Sequence, residues 1–203
     1  MRKTLSLHLA LGSITIGLFT SCGSHSGDLP ISSETGSSQV STGANTLLTK
    51  ARNYESAGKT GRAISTYQGI NKKYPYTDAA AEALFSQGRL FDKQGDLFKA
   101  FESYQTLISR HPCSPHYAAA IKRQEAVAHS AADGIIKNNF LGIKTRIGPD
   151  KTEKMLTNVR DNAPRAASAP RAQYAIGRVW QQDGNADKAI AAFQKVTPTS
   201  HLQ

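Results

Sequence analysis

Small and apolar residues return with one spacing in three stretches of the chain. Ala51, Tyr54, Gly58, Ala63 and Tyr67 form the first set, and Gly88, Phe91, Gly95, Ala100 and Tyr104 the second. Gly177, Trp180, Gly184, Ala189 and Phe193 form the third. In each set a small residue is followed three positions on by an aromatic, then a glycine four further, an alanine five further and an aromatic four further. The spacing predicts two short helices per stretch, A and B, joined at the glycine, which can take the positive-φ conformation that closes a helix. The small residue lets helix A approach its neighbour closely, and the aromatic fills the space beside it. The alanine falls where helix B crosses helix A. Pro75 and Pro112 stop helix B in the first two units. Thr77 and Ser114 follow as N-caps of the next helix A, and Pro115 suits a first helical position.

These units resemble the tetratricopeptide repeat, so the expected fold is all-α, a superhelix of about four helix-turn-helix repeats. The repeat domain spans 44–203, with units at 44–77, 81–114 and 170–203. Equivalent positions in the first two are 37 residues apart. A third, degenerate unit covers about 115–166. Its helix A is expected from about Ser114 to Asp133 and its helix B from about Lys151 to Ala163. Leu156 and Val159 fit the apolar pattern, whereas Glu125 replaces the small residue and Thr152 the alanine. An insert, 134–149, separates the two helices. Its apolar residues Phe140, Leu141, Ile143 and Ile147 suit either a partner or folding back over the array, with self-packing the expectation. The last helix B carries Ile190, Phe193 and Val196 with no capping helix after it. Repeat arrays need a polar terminal face, so a partner, a second copy or further chain is expected there.

The front of the chain has a different character. Arg2 and Lys3 precede an apolar stretch from Leu5 to Phe19, too short and interrupted for a membrane span. Residues 1–21 therefore read as a targeting segment. It ends Leu18-Phe19-Thr20-Ser21-Cys22-Gly23, which resembles the lipobox of bacterial lipoproteins, with Phe19 where leucine is usual. The resemblance implies lipidation of Cys22, and acyl chains anchor by about 0.8 kcal/mol per buried CH₂. Residues 22–43, rich in Ser, Gly and Thr, are expected to be a flexible tether. No acidic residue directly follows Cys22, which by the lipoprotein sorting rule implies outer-membrane delivery, on the periplasmic side. Lipidation would leave Cys113 without an internal partner, so the fold is expected not to depend on a bridge.

No catalytic constellation accompanies the repeats. Gly-rich stretches lack the Lys-Ser/Thr ending of a phosphate loop, and no Ser/His/Asp set has a recognisable local context. His111, Cys113 and His116 are the only cluster of metal-ligand types; they sit at a turn with no evident fourth ligand, so neither metal nor cofactor is expected. A non-enzymatic role follows. Binding has better candidates. Arginine stands directly after the small residue in all three clear repeats, as Arg52, Arg89 and Arg178. In the repeat family that position faces the concave groove, with Glu55, Phe85, Lys93, Tyr174 and Gln181 as neighbouring groove positions. A planar guanidinium can donate two hydrogen bonds to a carboxylate. The alternative is a solvated face that merely avoids apolar residues.

Charge adds a second surface. The chain carries 25 basic against 15 acidic residues. The excess concentrates in 44–77, where Lys50, Arg52, Lys59, Arg62, Lys72 and Lys73 face Glu55 alone. Such a surface attracts anionic lipid headgroups, acidic protein segments, cell-wall polymer or nucleic acid, or is simply solvated.

The lipobox, the tether, the 37-residue period and the turns Tyr74-Pro75-x-Thr77 and His111-Pro112-x-Ser114 together resemble the BamD family of β-barrel assembly and competence lipoproteins. That resemblance implies a scaffold contacting the periplasmic domains of a barrel insertase and unfolded barrel substrates. A tetratricopeptide lipoprotein coordinating cell-wall synthesis or envelope integrity has the same fold and anchor. A nucleic-acid-handling envelope protein rests on the basic excess alone.

Overall fold

A computed structural model describes residues 34–134, 139–140, 143–144 and 146–196. The expected targeting segment and Cys22 lie outside them. The described residues form eight helices and one minimal hairpin. The helices are α1 (Glu34–Ser56), α2 (Thr60–Lys73), α3 (Asp78–Gln94), α4 (Leu97–Arg110), α5 (Tyr117–Ala132), α6 (Pro149–Asn162), α7 (Ser168–Gln182) and α8 (Ala186–Gln194). The hairpin pairs β1 (Asn139–Phe140) with β2 (Ile143–Lys144), antiparallel. Each odd helix packs on the next even one, so the all-α reading holds as four A/B pairs. The A helices also meet directly, α1 with α3 and α5 with α7.

The turns form where the glycines predict. Gly58, Gly95 and Gly184 have φ of 69°, 78° and 83°. At the close of α3 the Gly95 N–H donates to Asp92 O at 2.9 Å, satisfying a carbonyl that the helix end would otherwise leave free. Gly134, at φ 69°, does the same for α5 through Ala131 O. It is a fourth turn glycine, although the sequence pattern places it at the start of the insert. Counted back from it, Val127 rather than Glu125 occupies the small-residue position of the third repeat. Thr77 caps α3 as expected, its hydroxyl accepting from Ala80 N at 3.2 Å. Ser114 does not cap α5. Its hydroxyl takes His116 N at 3.2 Å and its carbonyl takes Tyr117 N at 3.0 Å. These bonds make a separate turn holding Pro115, and α5 begins only at Tyr117.

The expected tether also shortens, because α1 starts at Glu34 and runs through its Ser/Thr-rich stretch. Hydroxyls there bond one turn back instead of competing with the helix: Thr42 Oγ1 to Ser38 O at 2.8 Å and Thr46 Oγ1 to Thr42 O at 2.9 Å. Ala44 and Leu48, both buried, then give the helix its packing face.

Close approach within each pair depends on the small residue. A Cβ built on Gly88 would lie 2.6 Å from the Tyr104 ring of α4. One on Gly177 would collide with the Phe193 ring of α8. Ala63, Ala100 and Ala189 are buried at the crossings. In the degenerate pair Thr152 takes that place; it is 1% exposed, and its hydroxyl donates to Gly148 O at 3.1 Å. The polar substitution is tolerated because the bond replaces the one lost to water. Polar groups also stitch this repeat to its neighbours. Gln105 Oε1 of α4 accepts from Gln124 of α5 at 2.6 Å and from Asn162 of α6 at 2.9 Å. After the hairpin the insert folds back, with Ile147 against the core and Arg146 Nη2 donating to Gln182 Oε1 of α7 at 3.3 Å.

Candidate functional site

Arg52, Arg89 and Arg178 lie on helices α1, α3 and α7, each about half exposed. None is left without a carboxylate. Arg52 Nε donates to Glu82 Oε1 of α3 at 2.8 Å, and its Nη2 reaches the same oxygen. That hydrogen bond holds the Arg52 guanidinium above its usual pKa. Arg89 Nη2 donates to Glu55 Oε1 of α1 at 2.6 Å. Arg178 Nη1 lies 3.7 Å from Asp133 Oδ1, the residue that closes α5. Two further pairs follow the same rule, Arg123 of α5 with Asp92 of α3 at 3.9 Å and Arg171 of α7 with Glu125 of α5 at 3.8 Å. All five pairs join one A helix to the next.

Glu55, expected as a groove residue, is the most connected of these carboxylates. Its Oε2 accepts from the Tyr67 hydroxyl of α2 at 2.9 Å while Oε1 takes Arg89, so one side chain ties α1, α2 and α3. Burial, and then this bond, push the Tyr67 phenol up to about 12.

The other expected groove residues separate. Phe85 is half-buried and stacks on His116, ring centroids 4.9 Å apart and planes at 11°. Lys93 and Gln181 are exposed. Tyr174 is 52% exposed, with its ring 5.4 Å from Phe193. Trp180 is buried, donates to Glu153 Oε2 at 3.1 Å and lies under Lys188 Nζ, so packing accounts for it. Sequence reasoning missed the acidic partners Glu82, Asp92 and Asp133. Asp92 and Asp133 stand at the end of a preceding helix A, whereas Glu82 lies in the first turns of the following one, so no common position marks them.

The His111, Cys113 and His116 cluster does not converge. Cys113 is disulfide-bonded, contrary to the expectation that it lacks a bridge, and the chain's other cysteine, Cys22, lies outside the described residues. His111 is held below the usual histidine range by burial, against a hydrogen bond to the Pro75 backbone that acts the other way. Among the described residues no three His, Cys, Asp or Glu side chains are grouped to hold a metal ion. Two open grooves, about 380 and 410 Å³, lie on the B-helix side. The first runs between α2, α3 and α4 over Leu84 and Phe91, the second between α4 and α6 over Phe98, Phe101 and Met155. Lys99, Glu102 and Ser103 line the first, where the Ser103 hydroxyl donates to Lys99 O at 2.8 Å, and Glu102, Lys151 and Lys154 line the second.

The tetratricopeptide-repeat family model matches residues 46–75, 82–114 and 171–197. The chain carries tetratricopeptide repeats. The matched segments are the first, second and last helix pairs; α5 and α6, the pair with the insert, lie between them. Among solved structures the chain is similar to MamA, at 20% identity over 75% of each chain with a TM-score of 0.39. MamA from Desulfovibrio magneticus RS-1 gives 19% identity, 75% of this chain and 73% of that one, and a TM-score of 0.39. A Podosopora anserina putative kinesin light chain with nearly identical TPR-like repeats gives 14%, 75% and 72%, and 0.40. No curated protein sequence matches. Repeats of this kind form extended surfaces for protein partners, and the tetratricopeptide array is an interaction scaffold.

Proposed function

We propose that this chain is a non-enzymatic scaffold lipoprotein, anchored by Cys22 on the periplasmic side of the outer membrane, that assists assembly of β-barrel proteins. The observation that carries the reading is the stack of four helix pairs, three of them tetratricopeptide repeats, in a chain that opens with a basic, apolar and then small-residue-Cys stretch. A stacked array supplies a long, rigid surface without chemistry of its own. The five inter-repeat ion pairs favour one register between neighbouring A helices, so a partner meets a preformed surface. Barrel-insertase domains and unfolded barrel substrates are the partners that fit a periplasmic scaffold near the inner leaflet.

The test is crosslinking in the native envelope, followed by identification of the captured protein. Recovery of a barrel insertase supports the reading. Recovery of a cell-wall synthase instead replaces it with the cell-wall role. Salt-sensitive capture of DNA by the purified chain would move it to nucleic-acid handling.

A further inference from the structure

Once the ion pairs are assigned, the free charge on the array is concentrated. In 44–77, Arg52 and Glu55 are engaged by Glu82 and Arg89 of the next repeat. Lys50, Lys59, Arg62, Lys72 and Lys73 have no carboxylate partner among the described residues. Lys72 and Lys73 close α2 and are followed by Tyr74, Pro75 and Tyr76. Tyr76 is 84% exposed, the highest value among the exposed large hydrophobic side chains described. The turn that presents it is held: Thr77 Oγ1 donates to Tyr74 O at 2.9 Å, and Thr77 N donates to the same carbonyl at 3.2 Å.

Position adds the second argument. The Tyr74 hydroxyl lies so close to Gly43 of α1 that a Cβ there would be 2.6 Å away. Gly43 is nine residues from the start of α1 at Glu34, about 14 Å along a helix. The turn of 72–76 therefore sits toward the end of the array where the N-terminal segment enters. Eleven residues separate Cys22 from Glu34, a span of at most about 43 Å. A tether of that length, with the start of α1, lets this turn reach the bilayer in which Cys22 would be anchored.

We propose that the 72–76 turn is a membrane contact for anionic lipid headgroups. Lys72 and Lys73 meet lipid phosphates, and the Tyr76 ring lies at headgroup depth, where amphipathic aromatics are favoured. The proposal rests on the lipid-anchor reading, and its test separates the two. The full chain is mixed with phosphatidylcholine vesicles, or with vesicles also containing phosphatidylglycerol, floated, and acetylated on its amines for mass spectrometry. Flotation on both vesicle types reports the anchor. The reactivity of Lys72 and Lys73 falls about fivefold on the anionic vesicles, returns in high salt, and is unchanged at Lys93 and Lys195. Tyr76→Ser, at an exposed position, weakens that protection without altering helicity. Flotation on both vesicles with equal lysine reactivity overturns the turn contact and leaves the anchor standing. Protection on anionic vesicles without flotation on neutral ones overturns the anchor and supports the turn.

Discussion

Replacing Gly88 by alanine separates two effects that usually act together. In an exposed helix interior Gly→Ala stabilises by about 0.5–1 kcal/mol, because alanine loses less backbone freedom on folding. Gly69 of α2 is such a position, exposed and with nothing within 4 Å of a built Cβ. Gly88 is also mid-helix, yet its Cβ would lie 2.6, 2.9 and 2.9 Å from three ring carbons of Tyr104. Tyr104 is 0% exposed, so the ring cannot swing into solvent. Relief requires α3 and α4 to move apart, and overpacking of this kind costs about 1–3 kcal/mol. The net expectation is a loss of about 1–2 kcal/mol for Gly88→Ala, a melting temperature lower by roughly 2–8 °C for a chain of this size. Gly69→Ala should raise it by about 1–4 °C. Thermal melts followed by circular dichroism at the helical band, wild type beside both variants, give the comparison. A Gly88→Ala protein melting at or above wild type would refute the close-approach reading of the small-residue position.

Thr77→Ala removes the one side-chain cap of α3 and should cost about 1 kcal/mol in chemical denaturation; no change in midpoint would show that the turn alone caps the helix. Glu55→Ala and Arg89→Ala, singly and together, should give a coupling of about 0.5 kcal/mol, since both groups are partly solvated. His129 of α5 is held below its usual range by burial and by Arg171 of α7, against Glu125 of its own helix and Asp133 just beyond its end. The unfolded chain therefore binds a proton that the folded one refuses, so this contribution is complete above about pH 6.5 and is lost on acidification below it. His129→Gln should flatten that slope; an unchanged pH profile would place its origin elsewhere. A lipidated Cys22 would leave Cys113 no other cysteine of its own chain, so intact-mass analysis of the envelope form should find acylated molecules without an internal bridge; an acylated, internally bridged molecule would refute lipidation at Cys22.

The parts of the fold legible in the sequence are those set by local chemistry. A glycine four residues after an aromatic marks a helix end because few other residues adopt positive φ there. Thr77 beside Asp78 reads as a cap because its hydroxyl needs only a backbone N–H three residues on. Gly134 escapes the pattern because it follows Gly95 by 39 residues, not 37, so a 37-residue register points to Glu125 instead. The Ser/Thr-rich start of α1 reads as tether because hydroxyl residues disfavour helix on average. Their back-bonds to the preceding turn and the packing of Gly43 on Tyr74 are tertiary facts. The arginines were visible as a recurrence. Their partners lie 30, 34 and 45 residues away for Arg52, Arg89 and Arg178, in both chain directions, and no single spacing finds them.

Those partners change what the arginine ladder can contribute to binding. A partner carboxylate approaching Arg89 finds free N–H donors, since Glu55 takes only Nη2, but its charge meets a guanidinium that Glu55 already neutralises. Whether it shares the guanidinium or displaces Glu55, the net charge gain is small while the cost of ordering the partner remains. A half-exposed pair is itself worth only about 0–1 kcal/mol, so displacement is permitted but poorly rewarded. The pairs act more directly between repeats, where each bridges helices that share few other polar contacts. Groups with no such internal competitor are better placed to hold a partner: exposed Lys93 and Lys122 on α3 and α5, and Tyr174 on α7. Alanine at Arg52 and Arg89 should therefore loosen the array more than it weakens capture, whereas alanine at Lys93 and Tyr174 should do the reverse. Capture lost in the arginine variants at unchanged melting temperature would return the ladder to the binding site.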